Sequence, residues 1–112
     1  MSVRVETWLW IAQRVGALVL AFAVALHLAT IIYAVHHGLS AAAILARTHG
    51  NLAWLVFYAI FALAAAIHGG IGLRTIIRET TIWRGTTLDI AIAAVIVALS
   101  FAGWRAASAL FV

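Results

Sequence analysis

The chain reads as an all-α membrane protein of three transmembrane helices, and three observations carry that prediction. Hydrophobic residues make up 67% of the 112 positions and charged residues 9%, a balance far outside that of soluble domains. Two stretches without a formal charge, 15–35 and 52–73, each meet the roughly 20 residues that a spanning helix needs. A third run, 90–104, is shorter, and the apolar tail 106–112 extends it to a full span if Arg105 snorkels its guanidinium to the interface.

Taken in order, helix I is expected over about 12–35, helix II over about 51–77 and helix III over about 87–110, forming a single transmembrane domain across 1–112. The linker 36–50 carries the breakers Gly38, Ser40 and Gly50, and the linker 78–86 carries Gly85. "TTLD" at 86–89 reads as an N-cap followed by an acid in the first helical turn, which accounts for Asp89. The first apolar run is too long for the roughly 7–15-residue core of a cleaved signal peptide, and Glu6 precedes it, so no targeting peptide is read. With three spans, the N-terminus and the second linker share one side of the membrane. That side holds Arg4, Arg14, Arg74, Arg78 and Arg84, against Arg47 and Arg105 on the other, which places the N-terminus in the cytoplasm by the positive-inside rule. Trp8, Trp10 and Trp83 on the first side and Trp104 near the second fit interfacial aromatic belts.

The absence of cysteine excludes disulfides and thiolate-bound iron–sulfur clusters on this chain, leaving histidine as the ligand for any redox metal. Two histidines fall inside apolar runs, His27 in helix I and His68 in helix II, and an imidazole in hydrocarbon is costly unless paired or liganded. Three readings stand side by side: hydrogen-bonding glue between helices, a station on a proton or substrate path, and axial ligation of haem iron. Small residues surround both. Gly72 lies four residues beyond His68 on the same helical face, and Gly16 lies about three turns before His27 on nearly the same stripe. Such glycines suit a flat porphyrin, and equally a close helix crossing. At about 1.5 Å per residue, His27 lies roughly 13 Å and His68 roughly 25 Å from the 36–50 side. An offset of about 12 Å is too large for the two ligands of one iron, whose nitrogens sit about 4 Å apart. On the haem reading each histidine therefore serves a different haem, with the second ligand drawn from another three-helix unit.

Around His68 the chain runs "HGGIGLRTIIRE", and helix I opens with "QRVGALVL". With the short length and three spans, these resemble the membrane-anchor cytochrome b subunits of the succinate dehydrogenase and fumarate reductase family over nearly the whole chain. His68, Gly72 and Arg74 match that family's H-x-x-x-G-x-R pattern, whose histidine is a haem b ligand. Arg14, Val15 and Gly16 stand against its R-x-[ST]-G pattern near the quinone site, without the hydroxyl residue.

The resemblance implies half of a haem-binding bundle, with two b haems held in company with a second anchor unit, either a related chain or another copy. His27 and His68 would ligate the irons, with Gly16 and Gly72 beside them. Arg14, Arg74 and Arg78 would meet the propionates of the His68 haem, or act only as topology residues. Arg14 and Gln13 would donate hydrogen bonds to a quinone oxygen. The implied partners are an iron–sulfur subunit and a flavoprotein that interconverts succinate and fumarate, docked on the cytoplasmic face of a bacterial or archaeal inner membrane. This chain would then be a non-catalytic subunit that carries electrons to or from quinone. His36, His37, Arg47 and His49 read as a solvated outer loop or as contacts to the outer haem's propionates; Tyr33, Tyr58, Phe57 and Phe61 read as packing or interface residues rather than cofactor contacts. The rival readings are a haem b anchor of another respiratory dehydrogenase and a cofactor-free transporter or assembly protein.

Overall fold

The computed structural model describes residues 2–112, which form four α-helices and no strand: α1 (Val3–His37), α2 (Ala41–Thr48), α3 (Leu52–Thr80) and α4 (Thr86–Phe111). Three of them, α1, α3 and α4, are long and apolar enough to cross a membrane.

Helix α1 begins well before position 12, because hydropathy marks only the part that lipid contacts. Ser2 caps it, its hydroxyl accepting from the Val5 N–H at 3.4 Å, and the polar first turns stay helical with Glu6 held by arginines from α3. At 35 residues it is about 52 Å long, close to the 49 Å long axis of the whole molecule. It stops at Gly38, whose φ of 129° few side chains tolerate and whose N–H bonds to the Ala34 carbonyl.

The linker 36–50 contains a helix that the breaker residues concealed. Ser40 is the N-cap of α2, accepting from the Ala43 N–H at 3.1 Å, and the following "AAAILA" is rich in strong helix formers. Helix α2 packs on α4 at the end of the bundle where the Gly50 N–H donates to the Phe111 carbonyl at 2.8 Å. Asn51 then caps α3, accepting from the Ala53 and Trp54 N–H groups. At the other linker the cap is Gly85 rather than a threonine. No side chain caps α4, and Thr86 is its first helical residue.

Helix α3 is the central element, packed against both α1 and α4. The buried core is thin and made chiefly of small residues: Gly16, Ala23 and Ala34 from α1, Ala66 and Gly70 from α3, Ala107 from α4, with Ile71, Leu88 and Ile92 among them. A methyl added at Gly70 would overlap the Ile96 side chain, and one at Gly103 would overlap the Ala62 methyl, so α3 and α4 pack closely, each glycine receiving a side chain of the other helix. Large side chains point outward instead, with Phe22 73% and Val97 68% exposed. This arrangement suits a solvent as apolar as the side chains themselves, where association depends on close contact and not on hydrophobic burial.

Candidate functional site

Helices α1 and α3 run antiparallel in a regular register. Glu6 meets Arg78, Gly16 meets His68, and His27 meets Tyr58, so ten or eleven residues up α1 match ten residues down α3. Two polar centres result, about 15 Å apart along the helices. One lies toward the end that carries the N-terminus, the other toward the end that carries α2.

At the first centre, half-buried His68 turns Nδ1 to the main-chain carbonyl of Gln13, 3.2 Å away on α1. Gly16 makes this reach possible, since a Cβ there would stand 3.3 Å from His68 Cβ. Gly72 lies beside the Gln13 amide, whose Nε2 is 3.4 Å from where a Cβ would be, an ordinary contact. The amide oxygen Oε1 of Gln13 is buried and has no hydrogen-bond partner among the described residues. Beside it is a polar groove of about 530 Å³, lined among others by Glu6, Trp10, Gln13, Thr75, Arg78 and Arg84. Its floor is an ionic knot: buried Arg74 donates from Nη2 to Glu6 at 2.9 Å and from Nε to Asp89 at 2.8 Å, while Arg78 reaches Glu6 at 3.2 Å. Three helices are thereby tied at one arginine. Exposed Arg14 does not line this groove, but its guanidinium stands 5.2 Å over the ring of Trp10, which does.

At the second centre, His27 faces α3, its Nδ1 3.5 Å from the Tyr58 hydroxyl and its ring edge-on to Phe61 at 5.4 Å. It opens on a cavity of about 710 Å³, a size ordinary for cofactor and ligand sites. The walls include Thr30, Ala34, Ile44, Trp54 and Tyr58, and Arg47 supplies the cation. That guanidinium is fixed by a 3.0 Å bond to the Gly38 carbonyl and lies 5.4 Å over the Tyr33 ring, on which His37 stacks at 4.1 Å.

With this geometry in hand, comparison with known proteins is decisive at one level. The family model for the succinate dehydrogenase/fumarate reductase transmembrane subunit matches residues 1–106. The chain belongs to this family. No curated protein and no solved structure matches it.

Within this anchor subunit, His27 and His68 lie at separate levels and each opposes the other helix. Gly16 and Gly72 sit at the α1–α3 crossing, where the small size of Gly16 brings His68 within reach of the Gln13 carbonyl and Gly72 lies beside the Gln13 amide. Of the remaining residues that the sequence singled out, Arg74 and Arg78 are engaged by Glu6 and Asp89, Gln13 faces the groove, and Arg14 faces outward. Sequence reasoning missed Tyr58 as a histidine partner and the carboxylates as counterions of Arg74. A signal for the latter existed: the chain has only three acidic residues, Glu6, Glu79 and Asp89, all on the side of the arginine-rich helix ends. A buried arginine requires a carboxylate nearby.

Proposed function

We propose that this anchor subunit binds two b haems together with a second anchor unit and carries electrons between an iron–sulfur subunit and membrane quinone. The supporting observation is that both intramembrane histidines commit Nδ1 to the opposite helix, at levels about 15 Å apart. The Gln13 carbonyl can only accept, so His68 carries its proton on Nδ1 and keeps its lone pair on Nε2, the tautomer that a metal needs; the Tyr58 hydroxyl, which can donate or accept, suits the same tautomer at His27. The cavity beside His27 fits the group as well, with apolar and aromatic walls and Arg47 to meet a carboxylate. Bound at these histidines, haem b supplies reversible one-electron transfer. His27 and His68 would each hold one haem, and the second anchor unit, a related chain or a second copy, would complete each site.

Orientation follows the arginine asymmetry, with the N-terminus and the α3–α4 loop in the cytoplasm of a bacterium or archaeon, facing the iron–sulfur subunit and its flavoprotein. The chain contributes nothing to succinate chemistry. Quinone binds near the N-terminal end of α1. A quinone oxygen that gains electrons develops negative charge, and fixed N–H donors stabilise it in a medium of low dielectric. Gln13 offers both Nε2–H for the quinone carbonyl and the unpartnered Oε1 for a quinol hydroxyl, with Arg14 as the cation beside it on the outward face. The deciding experiment is the visible spectrum of the purified complex. A reduced sample with b-type α-band absorption supports the reading; a colourless complex removes it.

A further inference from the structure

The structure assigns Tyr58 a role beyond packing: we propose that it is the positioning residue of His27, its hydroxyl oxygen accepting the Nδ1–H and so presenting Nε2 to the iron. This rests on the haem reading above and deepens it.

The four histidines of α1 and α3 divide into two kinds. His36 and His37, near the end of α1, each direct Nδ1 to the carbonyl one turn back in their own helix, Ile32 at 2.9 Å and Tyr33 at 3.0 Å. That local bond is what a helical histidine makes with nothing better within reach. His27 and His68 instead cross to the neighbouring helix. The crossing is reciprocal, since α1 orients the histidine of α3 through Gln13, and α3 orients the histidine of α1 through Tyr58.

The two acceptors differ in kind. For His68 it is the main-chain carbonyl of Gln13, which no change of the Gln13 side chain removes. For His27 it is a phenol oxygen, and the structure holds that phenol in place: Trp54 stacks on Tyr58 at 5.8 Å, Phe57 meets it edge-on at 5.0 Å, and Phe61 contacts the imidazole itself at 5.4 Å. A ring flanked by two aromatic neighbours keeps its position when only the hydroxyl is deleted. An acceptor on the distal nitrogen makes a ligating imidazole more electron-donating, which favours the ferric state and lowers the haem potential. Removing the acceptor therefore raises the potential, at one haem only.

The test is a redox titration of the purified complex, with low-temperature electron paramagnetic resonance of the oxidised form, on the unaltered protein, Tyr58→Phe and His27→Ala. The expected result is that His27→Ala deletes one of two low-spin haem signals. In Tyr58→Phe that same signal moves and its midpoint potential rises, the other haem stays unchanged, and retention of the affected haem falls about tenfold, the low end for loss of an outer partner of a metal ligand. If Tyr58→Phe leaves both signals and both potentials in place while His27→Ala deletes one, the Tyr58 role is wrong and the haem reading stands. Equal shifts of both haems also overturn it, because a positioning residue acts through His27 alone. Full haem content in His27→Ala overturns both.

Discussion

His68 on α3 and Gln13 on α1 are joined across the bundle, imidazole Nδ1 to main-chain carbonyl, at 3.2 Å. The contact depends on backbone proximity and on no polar side chain of α1. Gly16, one turn along from Gln13, is buried against the His68 Cβ and brings the helices that close. One small residue thus links packing to the orientation of the imidazole.

A larger residue at position 16 should therefore act on His68 first. Gly16→Val forces α1 away from α3, with an overpacking cost of about 1–3 kcal/mol. The carbonyl then leaves hydrogen-bonding range. The expected outcome is a loss of about tenfold or more in retention of the His68 haem, with the His27 haem kept, measured by haem content after a competing imidazole wash. Equal loss of both haems would mean that Gly16 serves only the general stability of the bundle.

Direct removal of each histidine should separate the two centres. His68→Ala is expected to remove the haem nearer the N-terminal end and His27→Ala the one nearer α2, each leaving about half the haem of the parent, as the different depths require. Pyridine haemochrome assay on the purified variants decides it. Full haem content in both would return the histidines to hydrogen-bonding glue.

Arg74 is the third test. Its side chain is 8% exposed and reaches carboxylates on α1 and α4, which remain 37% and 28% exposed. A fully buried pair broken on one side costs about 3–5 kcal/mol, and partial hydration of these acids reduces that. Arg74→Leu should destabilise the purified subunit by about 2 kcal/mol, read as a fall in its detergent-induced unfolding midpoint. A double-mutant cycle with Asp89→Ala should show coupling between the two sites. No coupling would reduce the knot to a coincidence of surface charges.

These residues show what the sequence makes legible and what it hides. Span number and the separate depths of His27 and His68 depend only on composition and on a rise of about 1.5 Å per residue, so counting recovers them. Helix α2 was hidden because Ser40 serves equally well as a loop residue and as an N-cap, and only the residues after it distinguish the two. The first turns of α1 were hidden because Glu6 is stabilised by an arginine 68 positions away. Tyr58 was hidden for a related reason: its partner lies on another helix, and only the register of α1 against α3 brings it to His27.

Orientation in the membrane has its own consequence. Ile82 at 98% exposure, Trp83 and Arg84 in the α3–α4 loop, with Trp8 and Trp10 on α1, put apolar and cationic surface at the end that carries the N-terminus. Photocrosslinkers at positions 8 and 83 should capture the iron–sulfur subunit. Capture only from positions 40–47 would invert the topology.

The last prediction concerns quinone and divides two neighbouring residues. Arg14 and Gln13 are consecutive on α1, so about 100° of helical rotation separates their side chains. Gln13 faces the groove with a buried oxygen that has no partner among the described residues, whereas Arg14 is exposed beside Trp10. An unpartnered buried amide oxygen costs about 1–3 kcal/mol, which a bound hydroxyl would recover. Gln13→Leu removes both the donor to a quinone carbonyl and the acceptor for a quinol hydroxyl, yet leaves the main-chain carbonyl that holds His68. It should slow quinone reduction at least tenfold, with haem content and dye-linked succinate oxidation intact. Arg14→Leu, from the outward face, should slow it less, through lost charge stabilisation at longer range. If Arg14→Leu proves the more damaging, the headgroup binds on the outer face of α1, against the second anchor unit. If neither change alters quinone kinetics in a correctly assembled complex, the quinone lies toward the other end, near His36 and Arg47, and electrons must pass both haems to reach it.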